Sequence, residues 1–224
     1  MAMHSARRTH ARDSIRATAE QFGLRYRPRF PCEPAGTVAP VPEEAAVSRR
    51  GLVTKSRVGF IRGYKRRFWH GDDFHRGSEA APGRGVTLIE DDDAVTWGVA
   101  FEVSGPQVEE ALAYLNVRET VCGGYVTKMV DFFPGDEGPA PVQALVYIAT
   151  SDNPLYLGPA SPEEIGAQIA SSSGKSGHNL EYLLRLAEFM RSSCPQVEDQ
   201  HLFSVETAAL TLFLACSCSV RPVH

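Results

Sequence analysis

The chain has 224 residues, 43% of them apolar and 22% charged, with a net charge of −4. That is enough apolar material to bury one core, and the acidic balance excludes a global nucleic-acid footprint. The longest apolar run near a terminus, Leu212–Cys216, is far below the ~20 residues that cross a bilayer as a helix.

The charge is unevenly spread. Residues 1–50 hold nine arginines against five acids, whereas residues 51–224 hold fourteen basic and twenty-two acidic side chains. The first thirty residues have no apolar block, which excludes a secretory signal peptide. Their Arg-rich, acid-poor composition fits a transit peptide or a disordered, loosely helical leader. Residues 31–50 carry Pro31, Pro34, Pro40 and Pro42 and read as a linker. The folded domain is expected over 52–216, followed by a short tail at 217–224.

Arg57–Arg62 alternates polar and apolar residues as a strand does, and Tyr64–Trp69 follows as a basic, aromatic strand with Tyr64, Phe68 and Trp69 inward. Gly71–Gly85 is turn-rich. Val86–Glu90 and Val95–Val103 are expected to form a hairpin through an acidic turn at Asp91–Ala94. Helical spacing marks Pro106–Leu115. Tyr125–Phe133 and Val142–Thr150 read as strands, with a loop at Pro134–Pro141. Three helices complete the chain: Pro162–Ser171 behind an N-cap at Ser161, Asn179–Ser192, and His201–Cys216. About six strands with short connections and then helices define an α+β domain, with antiparallel pairing in a small barrel or half-barrel.

Four clusters could carry chemistry. The basic-aromatic stretch Arg62–Trp69 could stack and neutralise a nucleic acid, but the domain's net negative charge opposes a polyanion. His70, Asp72, Asp73 and His75 could ligate a metal, but they lie in a loop where polar residues are ordinary. Ser171–Ser176 lacks the first glycine of a phosphate-binding loop, since Ile169 stands in its place. The five cysteines are odd in number, and the Cys216–Cys218 pair has no partner pair for zinc. Free thiols in a reducing cytosol are therefore expected. Last, Glu119 leaves the Pro106–Leu115 helix and faces Gly123-Gly124-Tyr125. There a carboxylate could act as acid and base while the glycines admit a substrate backbone; an exposed Arg118–Glu119 pair is the other reading.

Ordered motifs then carry a resemblance. Ser56-Arg-Val-Gly-Phe-Ile-Arg-Gly-Tyr-Lys-Arg-Arg-Phe-Trp69, Phe74-His-Arg-Gly77, Pro82-Gly-Arg84, Val86-Thr-Leu88, Tyr114-Leu-Asn-Val-Arg-Glu119, Gly123-Gly-Tyr125, Asp152-Asn-Pro-Leu-Tyr-Leu-Gly-Pro159 and Gly174-Lys-Ser-Gly-His-Asn-Leu-Glu-Tyr-Leu-Leu184 resemble the ChaC-type gamma-glutamylcyclotransferases. Asn116 and the Cys-containing tail are closest to the glutathione-specific vertebrate type 1 branch. The resemblance implies a gamma-glutamylcyclotransferase-like mixed β-barrel flanked by helices. It also implies a lyase that cyclises the γ-glutamyl group of reduced glutathione to 5-oxoproline, releases cysteinylglycine, and needs no metal or organic cofactor. The family's catalytic glutamate maps onto Glu119, and Tyr125, Tyr156, Gly123, Gly124 and Arg84 are the expected substrate-binding residues. Glutathione is the implied partner, with neither nucleic acid nor membrane.

The front of the chain departs from that pattern. The family's first strand ends in a Tyr-Gly-Ser-Leu loop that cradles the γ-glutamyl group, and no such sequence occurs here. The first strand is therefore expected to be missing, leaving an open sheet edge. The alternative function is a catalytically impaired isoform acting as a non-enzymatic binding protein. Gly85 also replaces a usual β-branched residue.

Overall fold

The computed structural model describes residues 55–103, 124–135 and 140–218, together with Val108, Leu112 and Leu115, whose backbone is helical as their spacing predicts. The leader and linker (1–50), Glu119, Gly123 and the last six residues lie outside the described residues.

Four antiparallel strands form the main sheet: β1 (Lys55–Asp72), β2 (Gly83–Glu102), β3 (Val126–Pro134) and β4 (Val142–Ile148), in the order β2-β1-β3-β4. β1 and β2 pair along their whole length, from Lys55↔Glu102 to Asp72↔Gly83. The two expected strands of the basic-aromatic region are thus one, and so are the two halves of the expected acidic hairpin. The Asp91–Ala94 stretch does not reverse the chain. It is an excursion on β2 opposite Gly63 alone, between the pairs Arg62↔Val95 and Tyr64↔Glu90. Gly63 sits at φ +79°, where a side chain would be strained, so it absorbs the mismatch at low cost. Lys65 closes the excursion by pairing with Asp91 at 2.7 Å. The turn of the real hairpin is the segment 73–82. There Asp72 Oδ1 accepts from the backbone N–H groups of Phe74 and His75.

A second register shift, between Arg67 and His70, breaks the alternation of β1 again. Phe68 is fully buried as expected, but so is Arg66, which the sequence pattern places outward. Arg66 pairs with Asp199 at 3.2 Å and donates to the carbonyl of Trp97, so its charge is compensated where it is desolvated.

β1 meets β3 over only three pairs, Gly59↔Pro134 to Ile61↔Phe132, whereas β3 and β4 pair throughout. Phe60 stacks on Phe133 at 5.2 Å and meets Trp97 at a tilt, with centroids 5.1 Å apart, an aromatic row of cross-strand pairs over three strands. Beyond Ile61 the strands part. The sheet curls enough for Thr87 Oγ1 on β2 to donate to Ala149 O beyond β4, at 2.8 Å, yet among the described residues it does not close into a barrel.

Three helices cover one face: α1 (Pro162–Ser171), α2 (Asn179–Ser193) and α3 (Gln200–Cys218). Their apolar stripes (Ile165 and Ile169; Leu183, Leu186 and Met190; Leu202, Val205 and Ala209) bury Phe68 and Val86 of the sheet in one core. α1 starts where Ser161 predicts, with a full capping box: Glu164 N donates to Ser161 Oγ at 3.2 Å, and Ser161 N donates to Glu164 Oε2 at 2.9 Å. Ser161→Ala is expected to lower the melting temperature by about 2–4 °C, checked by calorimetry.

Burial of two imidazoles gives the domain a pH dependence. His201 Nε2 accepts the backbone N–H of Phe68 at 3.1 Å, and desolvation, helped by Arg67 and Arg66, lowers its pKa to about 4. His70 is lowered to about 4 by desolvation. Between about pH 6.5 and 4 the unfolded chain binds protons that the folded chain refuses, so stability falls as pH drops through that window. The slope is at most about 1.4 kcal/mol per pH unit for a fully buried group, and less for the partly exposed His201. His201→Gln keeps an acceptor and is expected to flatten the fall in melting temperature between pH 7 and 5.

Candidate active site

The segment after β4 builds the site. Asn153 Oδ1 accepts from Leu155 N at 2.9 Å, and Asn153 O accepts from Tyr156 N at 2.9 Å, which folds Asp152–Tyr156 into a tight turn. The turn docks on the end of β1. Gly71 N donates to Leu155 O at 2.7 Å, Leu157 N donates to Trp69 O at 2.8 Å, and His70 bridges Tyr156. Tyr156 is thereby held beside β1, half-buried.

Tyr125 comes to the same place from the start of β3. It is 3% exposed, in a cluster with Tyr147 and Ala149 against which Leu115 packs. Its ring meets that of His70 edge-on, with centroids 5.1 Å apart. Gly124 precedes it at φ +64°, and a Cβ there would stand 3.1 Å from Asn153 Nδ2. Glycine is thus needed both for the backbone conformation and for the close approach to the turn. Glu119 and Gly123, which the sequence sets between Leu115 and Gly124, lie outside the described residues.

Of the expected substrate-binding residues, the structure brings Tyr125, Tyr156 and Gly124 together around His70. Arg84, on β2, lies opposite Gly71, and its guanidinium is engaged by other partners. Its Nε donates to Gln168 Oε1 at 2.7 Å, and its Nη1 donates to Phe68 O at 3.1 Å and to Gly158 O at 3.3 Å. Burial lowers its pKa, opposed by Glu164. It braces the far end of the segment that carries Tyr156, and it uses the several fixed donors that distinguish arginine from lysine.

The loop cluster considered for metal binding is likewise dispersed into other duties. Asp72 caps the 73–82 turn, the ring of His70 packs on Tyr125, and His75 Nδ1 lies 2.8 Å from Ser176 Oγ. Among the described residues no group of metal-ligating side chains converges, and no helix is long and apolar enough to cross a membrane.

Asn153 escaped the sequence reading, and His70 entered it only as one of four possible metal ligands. Asn153 lies in a motif that marks the resemblance, but only the docking of the 150–158 segment on β1 shows what each of the two residues touches.

An antiparallel α+β domain with paired tyrosines at a glycine turn is the class that the fold and site define. Residues 51–211 match the family model described as ChaC-like protein, and the chain belongs to that family. It is 66% identical over 169 residues to the zebrafish (Danio rerio) glutathione-specific gamma-glutamylcyclotransferase 1, covering 75% of this chain and 83% of that one. The human (Homo sapiens) protein of the same name is 59% identical over 163 residues, covering 73% of each chain. Among solved structures, the yeast glutathione-specific gamma-glutamyl cyclotransferase superposes with a TM-score of 0.62 at 28% identity, covering 72% of this chain and 92% of that one.

Proposed function

We propose that this chain is a glutathione-specific gamma-glutamylcyclotransferase of the cytosol, with Glu119 as its acid–base residue. The observation that carries the reading is the 66% identity over 169 residues to an enzyme of that name. The meeting of Tyr125 and Tyr156 at His70 supports it.

The chemistry needs few groups. The α-amine of glutathione is an ammonium ion at neutral pH and cannot attack. A carboxylate within hydrogen-bond reach takes its proton, the amine adds to the γ-carbonyl carbon, and the bond from that carbon to the cysteine nitrogen breaks as the nitrogen receives a proton. The products are 5-oxoproline and cysteinylglycine, with no water consumed and no cofactor. Since nucleophile and electrophile belong to one molecule, holding the substrate folded supplies much of the rate. Tyr125 and Tyr156 are assigned to that holding, the Gly123-Gly124 backbone to donation toward the developing oxyanion, and Arg84 to bracing Tyr156. The relatives do not favour the alternative of a non-enzymatic binding isoform over this reading.

Purified protein incubated with reduced glutathione is expected to release cysteinylglycine and 5-oxoproline in equal amounts. No release, alongside an active relative that carries the Tyr-Gly-Ser-Leu loop, would refute the activity.

A further inference from the structure

We propose that the groove which α3 forms with the start of α1 is a docking site for a segment of this chain's own leader, Phe22–Phe30. The groove is open and holds about 840 Å³. Phe203, Thr207, Ala208 and Leu212 of α3 line it, together with Glu163 of α1 and Glu198. Both glutamates are exposed, and neither has an ion-pair partner among the described residues. Arg191, whose guanidinium lies 4.8 Å from the centroid of the Phe203 ring, is already paired with Glu206. The groove therefore offers apolar side chains and uncompensated negative charge together. At its end α3 adds Leu212, Phe213 and Leu214, which are 38%, 40% and 60% exposed. Contiguous apolar surface of this kind, edged by polar groups, marks an interaction site.

Charge selects the occupant. Two unpaired carboxylates repel an anion. A second copy would bring the same carboxylates, on a domain with fourteen basic against twenty-two acidic side chains over 51–224, and like charges across an interface are costly. A basic segment with an apolar face fits, and the leader holds one. Phe22-Gly-Leu-Arg-Tyr-Arg-Pro-Arg-Phe30 sets Phe22, Leu24, Tyr26 and Phe30 at even positions and Arg25, Arg27 and Arg29 at odd ones, with no acid among them. In an extended stretch that period puts the apolar side chains on one face and the arginines on the other. Phe22 to Tyr26 then spans ~13 Å, and α3 rises by about the same length from Phe203 to Leu212. The long arginine stems let the guanidinium groups turn back to Glu163 and Glu198. Length permits the contact: residues 31–54, between this segment and β1, number 24. They span roughly 27–30 Å on average and up to ~80 Å when extended, against a domain about 40 Å across. A tether of that kind holds the segment near the groove at an effective concentration around the millimolar range, so a weak contact suffices.

The test uses the full chain with the photo-cross-linking residue p-benzoyl-L-phenylalanine in place of the exposed Thr207. The protein is irradiated as an equal mixture of ¹⁵N-labelled and unlabelled chains and digested with a Glu-specific protease, which releases the peptide Gln21–Glu33. The expected adduct joins that peptide to α3 within chains of one label. Its yield should fall about fivefold in the Glu163→Lys/Glu198→Lys variant and in 0.5 M salt, as for the loss of two surface ion pairs. The variant Arg25→Glu/Arg27→Glu/Arg29→Glu, which leaves the domain untouched, should lose the adduct as well. An adduct lacking residues 21–33, or no adduct, would overturn the proposal. Adducts that join labelled to unlabelled chains would give the groove to a second copy and reject it too. So would a yield that ignores both charge reversals, or an equal yield with the photo-cross-linker at the exposed Asp92 on β2, either of which makes the contact indiscriminate.

Discussion

Replacing Glu119 by glutamine is expected to lower kcat for glutathione by about 10²–10⁴-fold, the usual worth of a positioned acid–base group. Glutamine keeps the shape of the side chain and its ability to accept a hydrogen bond, but it cannot take the ammonium proton, so KM should change little. Glu119→Asp separates placement from chemistry. The carboxylate survives but is withdrawn by one methylene, and a displacement of about 1 Å can cost on the order of 100-fold. The measurement for both is the initial rate of cysteinylglycine release under saturating glutathione. Full activity in Glu119→Gln would remove this residue from the mechanism and leave the family assignment intact.

The second large effect concerns Asn179, which is fully buried at the start of α2. Its Oδ1 accepts Arg84 N at 2.6 Å and its Nδ2 donates to Arg84 O at 2.9 Å, so one side chain satisfies both backbone groups of a buried strand residue. Its own N–H donates to Ser172 O at 3.0 Å. Asn179→Ala would orphan both groups of Arg84. At about 1–3 kcal/mol for each unsatisfied group, the domain is expected to lose about 2–5 kcal/mol and its melting temperature to fall by roughly 5–15 °C. Asn179→Asp restores the acceptor but buries an unpaired carboxylate, and it should be no better. A melting temperature within about 2 °C of wild type in either variant would show that the contact is not needed. Since Arg84 also braces Gly158, the alanine variant should lose glutathione turnover before it unfolds.

Periodicity reads well wherever an element is covered on one face only. The three terminal helices lie where the spacing of Ile165 and Ile169, of Leu183, Leu186 and Met190, and of Leu202, Val205 and Ala209 puts them, because each presents one apolar stripe to a single core. The same reasoning fails on β1 and β2. Gly63 and the register shift before His70 reset the two-residue alternation twice, so an arginine expected outside, Arg66, is inside. The Asp91–Ala94 stretch has the composition of a turn and is an excursion within one strand, since the reversal it suggests is already made at 73–82.

The amino-acid sequence by itself determines the α+β class, the helix starts and the family, and it offers Glu119 as the proposed acid–base residue. Those follow from local spacing, capping and motifs, all of which act over a few residues along the chain. Only the tertiary structure decides that Tyr156 lies beside His70 and His70 against Tyr125, that Arg84 serves as a brace, and that Asn179 closes the backbone of β2. Each of those contacts joins residues far apart in the chain, and each depends on strand register and on the docking of the 150–158 segment, which no local pattern encodes.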